Sequence, residues 1–221
     1  PRRLKPFNLY YHMYSGEKPA ALAAVRHFLD MARSQTVIPV AASEYAAIAD
    51  DFFTVAIEQT DVSTWLVSNF GALETVRFDD AKGLGLDMAQ SSGVLGASRH
   101  NGSLYVTLDR AVQSAVVRIV DREKADLQVS DPQSRPQLRD SRWRLSGLTG
   151  GSCRFAMTAE GFGRGDMRFA TAPGRHFDVA VTRGAQELAS ASVIADTMGQ
   201  LTLALDADAR EPVEVSFACH D

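Results

Sequence analysis

The spacing of apolar residues changes near residue 54, and this change constrains the fold more than any other feature of the sequence. Beyond it, apolar residues recur at every second position, as in the segments 104–108 and 213–217. A period of two is typical of strands that bury one face. Turn-rich segments separate these strands, and Asn-Gly at 101–102 predicts a two-residue hairpin turn. Residues 54–221 are therefore predicted to form an antiparallel β-sandwich.

The first 53 residues instead alternate strand and helix patterns. The segment 7–13 (FNLYYHM) is predicted as a strand, and Pro19 occupies a position that is allowed in the first turn of a helix. A second short strand is predicted at 36–40 (TVIPV), followed by a helix that continues through Phe52. Two strand–helix units cannot close a (β/α) barrel, so we expect the other units to precede this chain.

The predicted fold class is therefore α+β with two domains. Residues 1–53 form the incomplete end of a (β/α) barrel, with two βα units, and residues 54–221 form the antiparallel β-sandwich. The polar segment SDPQSRPQ at 130–137 is the point at which the sandwich would divide into two smaller ones.

Charge and hydropathy argue against two classes of function. The 221-residue chain has a formal net charge of −4 and a pI of about 5.7, whereas a general nucleic-acid binder presents a basic surface. No apolar run approaches the roughly 20 residues that a transmembrane helix requires. We therefore expect neither a nucleic-acid partner nor a membrane span.

Ring side chains gather in the first predicted strand. In an extended strand Tyr10, His12 and Tyr14 point to one side, opposite the apolar Phe7 and Leu9. His12 also lies towards the carboxyl end of this strand, the end at which barrel enzymes carry their active sites. The residues alone leave two interpretations of His12 open, a hydrogen-bonded core histidine and a catalytic group.

The segments YYHMYSGEKPA (10–20) and PVAASEY (39–45) resemble the closing strand, helix, strand and helix of the polysaccharide deacetylase family, which is related to carbohydrate esterase family 4. The similarity is greatest to the PelA-like deacetylases that modify the Pel exopolysaccharide. It continues through GALETVRF (71–78) and SSGVLGA (91–97), so it covers roughly residues 4–108.

This resemblance implies that His12 is the general acid that protonates the departing amine, and that Tyr10 and Tyr14 line the sugar subsite. It also implies a divalent metal, expected to be zinc, held by an aspartate and two histidines in motifs that lie earlier in the barrel. Those motifs are absent from the sequence, and its other histidines, at 27, 100, 176 and 220, show no i, i+4 pairing. We therefore expect no metal site within this chain and no deacetylase activity from the chain alone.

Three aromatic residues of the sandwich region, Trp65, Tyr105 and Trp143, are candidates for stacking on sugar rings. An aromatic face packs well against the C–H face of a pyranose. Large aromatic side chains nevertheless serve the protein core more often than they serve a ligand. Both interpretations stay open for each of the three residues.

The two cysteines, Cys153 and Cys219, lie on the same side of their segments as the apolar neighbours, so both are predicted to face inward. Two cysteines do not indicate a disulfide scaffold, and buried free thiols are common. The resemblance implies a periplasmic location, where a disulfide persists. A disulfide and a pair of free thiols both remain open.

The resemblance leads to a specific functional hypothesis. The chain is expected to be part of a periplasmic deacetylase that acts on acetylated aminosugar exopolysaccharide in biofilm matrix synthesis, with polysaccharide and the upstream barrel as partners. The sandwich is expected to bind carbohydrate. The alternative is a non-catalytic module that packs on the barrel or binds a protein of the export machinery. Exposed aromatics along a groove favour sugar binding, whereas a flat apolar patch favours a protein partner.

Overall fold

The computed structural model describes residues 6–35 and 37–220. The chain divides into two compact units, Pro1–Pro39 and Val40–Asp221. Three α-helices and fifteen strands form within the described residues, so the structure has the predicted mixture of helices and strands in a β-rich fold. No helix among these residues is long and apolar enough to cross a membrane.

The first unit is helical. A short 3-10 helix, Met13–Gly16, precedes helix α1, Pro19–Ser34, which has its proline in the first turn as predicted. The strand predicted at 7–13 is wrong, because residues 7–12 have no regular secondary structure and Met13 begins the 3-10 helix. Residues 37–40 of the second predicted strand are also irregular, while Thr36 lies outside the described residues. A strand needs a hydrogen-bonded neighbour, and no described strand pairs with either segment.

The second unit begins with helix α2, Ala42–Thr54, and also contains helix α3, Arg122–Ser130. Its strands, numbered in chain order, are β1 Ala56–Asp61, β2 Thr64–Ser68, β3 Thr75–Phe78, β4 Leu84–Leu86, β5 Val94–His100, β6 Ser103–Leu108, β7 Ser114–Asp121, β8 Gln137–Ser141, β9 Arg144–Gly150, β10 Arg154–Glu160, β11 Gly165–Ala170, β12 His176–Arg183, β13 Gln186–Ile194, β14 Gln200–Leu205 and β15 Val213–Cys219. Buried and exposed residues alternate along strands such as β10 and β14, as the period of two predicts.

The strands form three sheets around two cores. The sheets have the strand orders β1-β2-β7-β4, β14-β11-β8-β5-β6-β3 and β13-β12-β15-β10-β9. One core combines side chains of β2 and β7 with those of β5 and β6, such as Val67 with Val106. The other combines β11 and β14 with β10, β12 and β15, such as Phe169 with Phe217, whose rings are 5.3 Å apart. The six-stranded sheet therefore contributes to both cores.

The two cores meet where β5 and β8 pair in parallel, at Gly96 and Leu138. A side chain at Gly96 would collide with the backbone of Leu138, so this pairing requires glycine. Asp109 forms a second connection: the buried carboxylate accepts hydrogen bonds from the backbone N–H groups of Gly147 (2.7 Å) and Leu148 (3.0 Å). The segment 130–137 joins α3 to β8 and lies near this division.

A group of charges around the buried Arg144 lies between α2 and β9. Arg144 of β9 is paired with both Glu44 of α2 and Glu74, and Arg110 lies 3.4 Å from Glu74. Burial raises the pKa of Glu74 from 4.5 to about 7, against the lowering effect of Arg110. The effect of burial on this pKa therefore outweighs the attraction of Arg110.

The hairpin predicted at 101–102 is confirmed. β5 and β6 pair antiparallel and are joined by two residues, Asn101 and Gly102, with φ of 48° and 83°. Positive φ at both positions is the geometry of a type I′ turn, which asparagine followed by glycine accepts readily.

Candidate functional site

A shallow groove of about 900 Å³ crosses the outer face of the five-stranded sheet. Its floor contains small side chains from four neighbouring strands, Ala156, Ser216, Ala180 and Ser190, which are paired in register across the sheet. These positions alternate with Phe155 and Phe217, which point into the core on the other side. Because the outward side chains are short, the sheet surface is depressed here.

Larger polar side chains flank this floor. The next row across the sheet contains, in order, Arg154, Ala218, Asp178 and Ser192. Glu187 contributes a second carboxylate to the groove lining. The groove thus presents hydroxyl, carboxylate and guanidinium groups to solvent, all of which form hydrogen bonds to polar ligands.

A network of hydrogen bonds continues from this row towards the end of the sheet. The Ser192 hydroxyl donates to one carboxylate oxygen of Asp178 (2.7 Å), and Nδ1 of His220 donates to the other (2.9 Å). These two bonds hold the pKa of Asp178 below its ordinary value, with the bond from His220 having the larger effect. Nε2 of His176 lies 2.6 Å from the Ser192 hydroxyl, and the two imidazole rings are stacked with centroids 4.1 Å apart.

Backbone contacts and a disulfide hold the chain beside this network. Cys153 and Cys219 are bonded, with Cα atoms 5.0 Å apart. The N–H of Cys219 donates to the carbonyl of Cys153 (2.8 Å), and the N–H of His220 donates to the carbonyl of His176 (3.0 Å). The position of His220 is therefore fixed. Cys219 is half-buried, but Cys153 is exposed, so the prediction that both face inward is wrong for Cys153.

The structure brings the three ring residues of the first unit together. His12 packs edge-to-face with Tyr10 (5.2 Å) and stacks on Tyr14 (4.8 Å). All three side chains are exposed, with Tyr10 at 77% and Tyr14 at 62%. Their proximity comes from an irregular segment followed by the 3-10 helix rather than from one face of a strand. The roles predicted for them stay predictions.

Trp65 and Tyr105 lie outside the groove lining, on β2 and β6. Both are half-buried. The indole of Trp65 packs edge-to-face against Phe78 at 5.0 Å. The phenol of Tyr105 is hydrogen-bonded to Arg77 and raises the pKa of that guanidinium. Neither residue therefore offers an aromatic face to a sugar bound in the groove.

Trp143 is a core residue. It is only 1% exposed, and its indole N–H donates to the carbonyl of Gly163 (3.0 Å). A side chain at Gly161 or at Gly165 would collide with its ring, so the protein itself covers the indole. This is a correction to the sequence analysis, because the buried indole leaves no face on which a sugar could stack.

The residues that define this site were not recognised as a group in the sequence. His176 stands out there only as a histidine without an i, i+4 partner, yet it is the first residue of β12 and shares a face with Asp178 two positions later. This i, i+2 spacing within an alternating segment was the available signal. An i, i+4 spacing brings side chains together on a helix, so it does not reveal a pair of ligands on a strand. The contribution of His220 depends on strand order.

No protein-family model, curated protein or solved structure matches the chain. The groove and the His176–Asp178–His220 cluster are therefore interpreted from their own geometry and chemistry.

Proposed function

We propose that the β-rich unit holds an aminosugar polysaccharide in the groove of the five-stranded sheet, as part of a PelA-like polysaccharide deacetylase. The observation that carries this proposal is the open groove, which has a floor of alanine and serine side chains and is flanked by the charged groups of Arg154, Asp178 and Glu187. A chain of sugars is long, narrow and rich in hydroxyl groups. An open groove on a sheet accommodates such a chain without requiring it to end inside the protein.

The charged groups of the groove define the preferred polymer. Asp178 and Glu187 are carboxylates that pair with the ammonium groups of deacetylated aminosugars, while Arg154 donates to an N-acetyl carbonyl. Both kinds of group occur together on a partly deacetylated polymer. We therefore expect such a polymer to bind better than a fully acetylated one, and the difference to shrink as salt is added.

Affinity for each sugar unit is expected to be low. The aromatic residues of the strands beneath the groove, Phe155 and Phe217, point into the core and are only 3% and 2% exposed, so they offer no stacking platform. Useful affinity then depends on several weak contacts along one polymer.

Affinity electrophoresis of the intact chain in gels that contain the polymer tests this proposal. Ala180→Phe fills the floor of the groove and should abolish retardation, and Arg154→Ala should reduce it. Arg77→Ala removes an exposed arginine from β3, outside the groove lining, and is the matched control. Equal retardation of the wild-type chain and Ala180→Phe would reject the groove as the binding site. No retardation of the wild-type chain by any aminosugar polymer would favour the alternative of a module that packs on the barrel or binds an export protein.

The catalytic part of the proposal concerns His12 and rests on the resemblance of residues 4–108. In the enzyme with its upstream barrel, His12→Ala should lower deacetylation by two to four orders of magnitude, the usual contribution of a general acid. The divalent metal of that enzyme, expected to be zinc, would be held by residues outside this chain. The chain alone should therefore release no acetate from an acetylated aminosugar polymer. Near wild-type turnover by a folded His12→Ala enzyme would reject this role.

The proposed location is the periplasm. The bond between Cys153 and Cys219 supports it, since disulfides persist in oxidising compartments and are rare in the cytosol.

A further inference from the structure

Two imidazoles and a carboxylate converge at the end of the five-stranded sheet. His176 and Asp178 lie two residues apart on β12, so their side chains leave the same face of the sheet. His220 directly follows β15, the neighbour of β12. One ligand atom from each of the three residues lies within 4.8 Å of the other two.

These groups have the donor chemistry of a transition-metal site. A Zn²⁺ ion binds imidazole nitrogen and carboxylate oxygen at about 2.0–2.2 Å, so two ligands of one ion lie about 3–4 Å apart. Donor atoms within 4.8 Å reach such separations by small rotations of the exposed Asp178 and His220 and the half-buried His176. Imidazole suits zinc, copper and nickel, whereas calcium and magnesium prefer all-oxygen sites.

We propose that His176, Asp178 and His220 bind one divalent transition-metal ion, such as Zn²⁺ or Cu²⁺. Each histidine supplies one deprotonated ring nitrogen, and Asp178 supplies a carboxylate oxygen. This arrangement replaces the present hydrogen bond between His220 and Asp178 (2.9 Å) with bonds to the ion. Three protein ligands leave at least one coordination position for water or another ligand.

The surrounding structure orients these ligands before an ion binds. The Ser192 hydroxyl fixes Asp178, in the manner of the outer hydrogen bonds that orient ligands in metal sites. The Cys153–Cys219 disulfide and the backbone hydrogen bond from His220 to His176 fix the chain at the third ligand. The entropic cost of assembling the site is correspondingly reduced.

This site is distinct from the metal site that the deacetylase resemblance implies. It lies in β12 and just after β15, outside residues 4–108, and its ligands follow no motif of that resemblance. The inference replaces the expectation that this chain holds no metal. It does not depend on polysaccharide binding and is tested without polymer.

Isothermal titration calorimetry of the oxidised, untagged chain with ZnCl₂ tests the proposal. We expect one ion per chain, and His176→Ala and His220→Ala should each weaken binding by about 10-fold or more. His100→Ala and His27→Ala remove exposed histidines elsewhere and are the matched controls, which should stay within about 2-fold of the wild type. MgCl₂ and CaCl₂ should give no comparable binding. Ser192→Ala should weaken zinc binding through the orientation of Asp178.

Two further measurements do not depend on alanine variants folding well. Asp178→Asn conserves shape and should weaken zinc binding about as much as the histidine variants. In the wild-type chain, NMR signals of the His176 and His220 rings should shift on zinc addition, while those of His100 stay unchanged. Absence of zinc binding by the wild-type chain, or undiminished binding after His176 and His220 are replaced together, would overturn the proposal.

Discussion

The described residues before Val40 and those after it respond differently to similar apolar patterns. Both regions have amphipathic segments, yet none of the described residues from 6 to 39 is buried, whereas β6, β10 and β14 bury every second side chain. In the later region each strand has a hydrogen-bonded neighbour, and every strand after β1 contributes side chains to one of the two cores. An alternating pattern thus indicates that a segment can form a strand. The strand forms where the same chain supplies a hydrogen-bonded neighbour.

The largest expected difference in stability is between replacing a buried aromatic residue of the later region and replacing an exposed one of the earlier region. Trp143→Ala should lower the free energy of unfolding by about 4 kcal/mol, because it leaves a cavity in the core. Tyr10→Ala removes a side chain that is 77% exposed and should change stability by less than about 0.5 kcal/mol. Urea denaturation followed by circular dichroism measures both. A similar loss of stability in the two variants would contradict the contrast between a buried and an exposed aromatic residue.

Removal of the disulfide should have the next largest effect. The bond joins cysteines that are 66 residues apart, and closing a loop of this size is worth about 4 kcal/mol on the chain-entropy model. The double variant Cys153→Ser, Cys219→Ser should lose about 2–4 kcal/mol of stability, measured by urea denaturation. Wild-type protein unfolded with a reductant is the control and should match the variant.

The half-buried acid Glu74 should make stability depend on pH. Its pKa is about 7 in the folded chain and near 4.5 when exposed, so the folded state binds more protons between those values. The contribution of Glu74 is therefore fully present below about pH 4.5 and is lost as the pH rises through 7, by up to about 3 kcal/mol. Denaturant unfolding at pH 5, 6, 7 and 8 measures this fall.

Glu74→Gln should remove this part of the pH dependence, because the amide stays neutral over the whole range. Glu58→Gln, on the exposed strand β1, is the matched control and should keep the wild-type slope. Parallel stability curves for Glu74→Gln and the wild type would contradict the assignment.

The smallest effect is expected in the β5–β6 hairpin. Asn101→Ala should cost about 1 kcal/mol, since alanine is less tolerant of the φ of 48° at this position. Asn101→Gly should be close to neutral, because glycine accepts positive φ without steric cost. Thermal unfolding of the two variants measures how much this local turn contributes to the stability of the folded chain. Equal destabilisation by both substitutions would argue against backbone strain as its cause.

Local features were predictable wherever their cause lies within a few residues. Pro19 indicated the start of α1 because its ring suits the first turn, and Asn101-Gly102 indicated the hairpin because both residues accept positive φ. The alternation of apolar residues likewise predicted the β-rich region. The strand predicted at 7–13 is wrong because a strand depends on a hydrogen-bonded partner outside the segment, which no local pattern supplies.

The period of the strands and the hairpin turn follow from local residue types and spacing, and the two cysteines and five histidines are visible in the sequence. Tertiary structure alone decided that Trp143 is covered by glycines and that Cys153 meets Cys219. It also decided that His220 joins His176 and Asp178, because strand order places β15 beside β12. Spacing along the chain reports which face of a strand a side chain occupies, whereas proximity between distant strands depends on how the whole sheet is assembled.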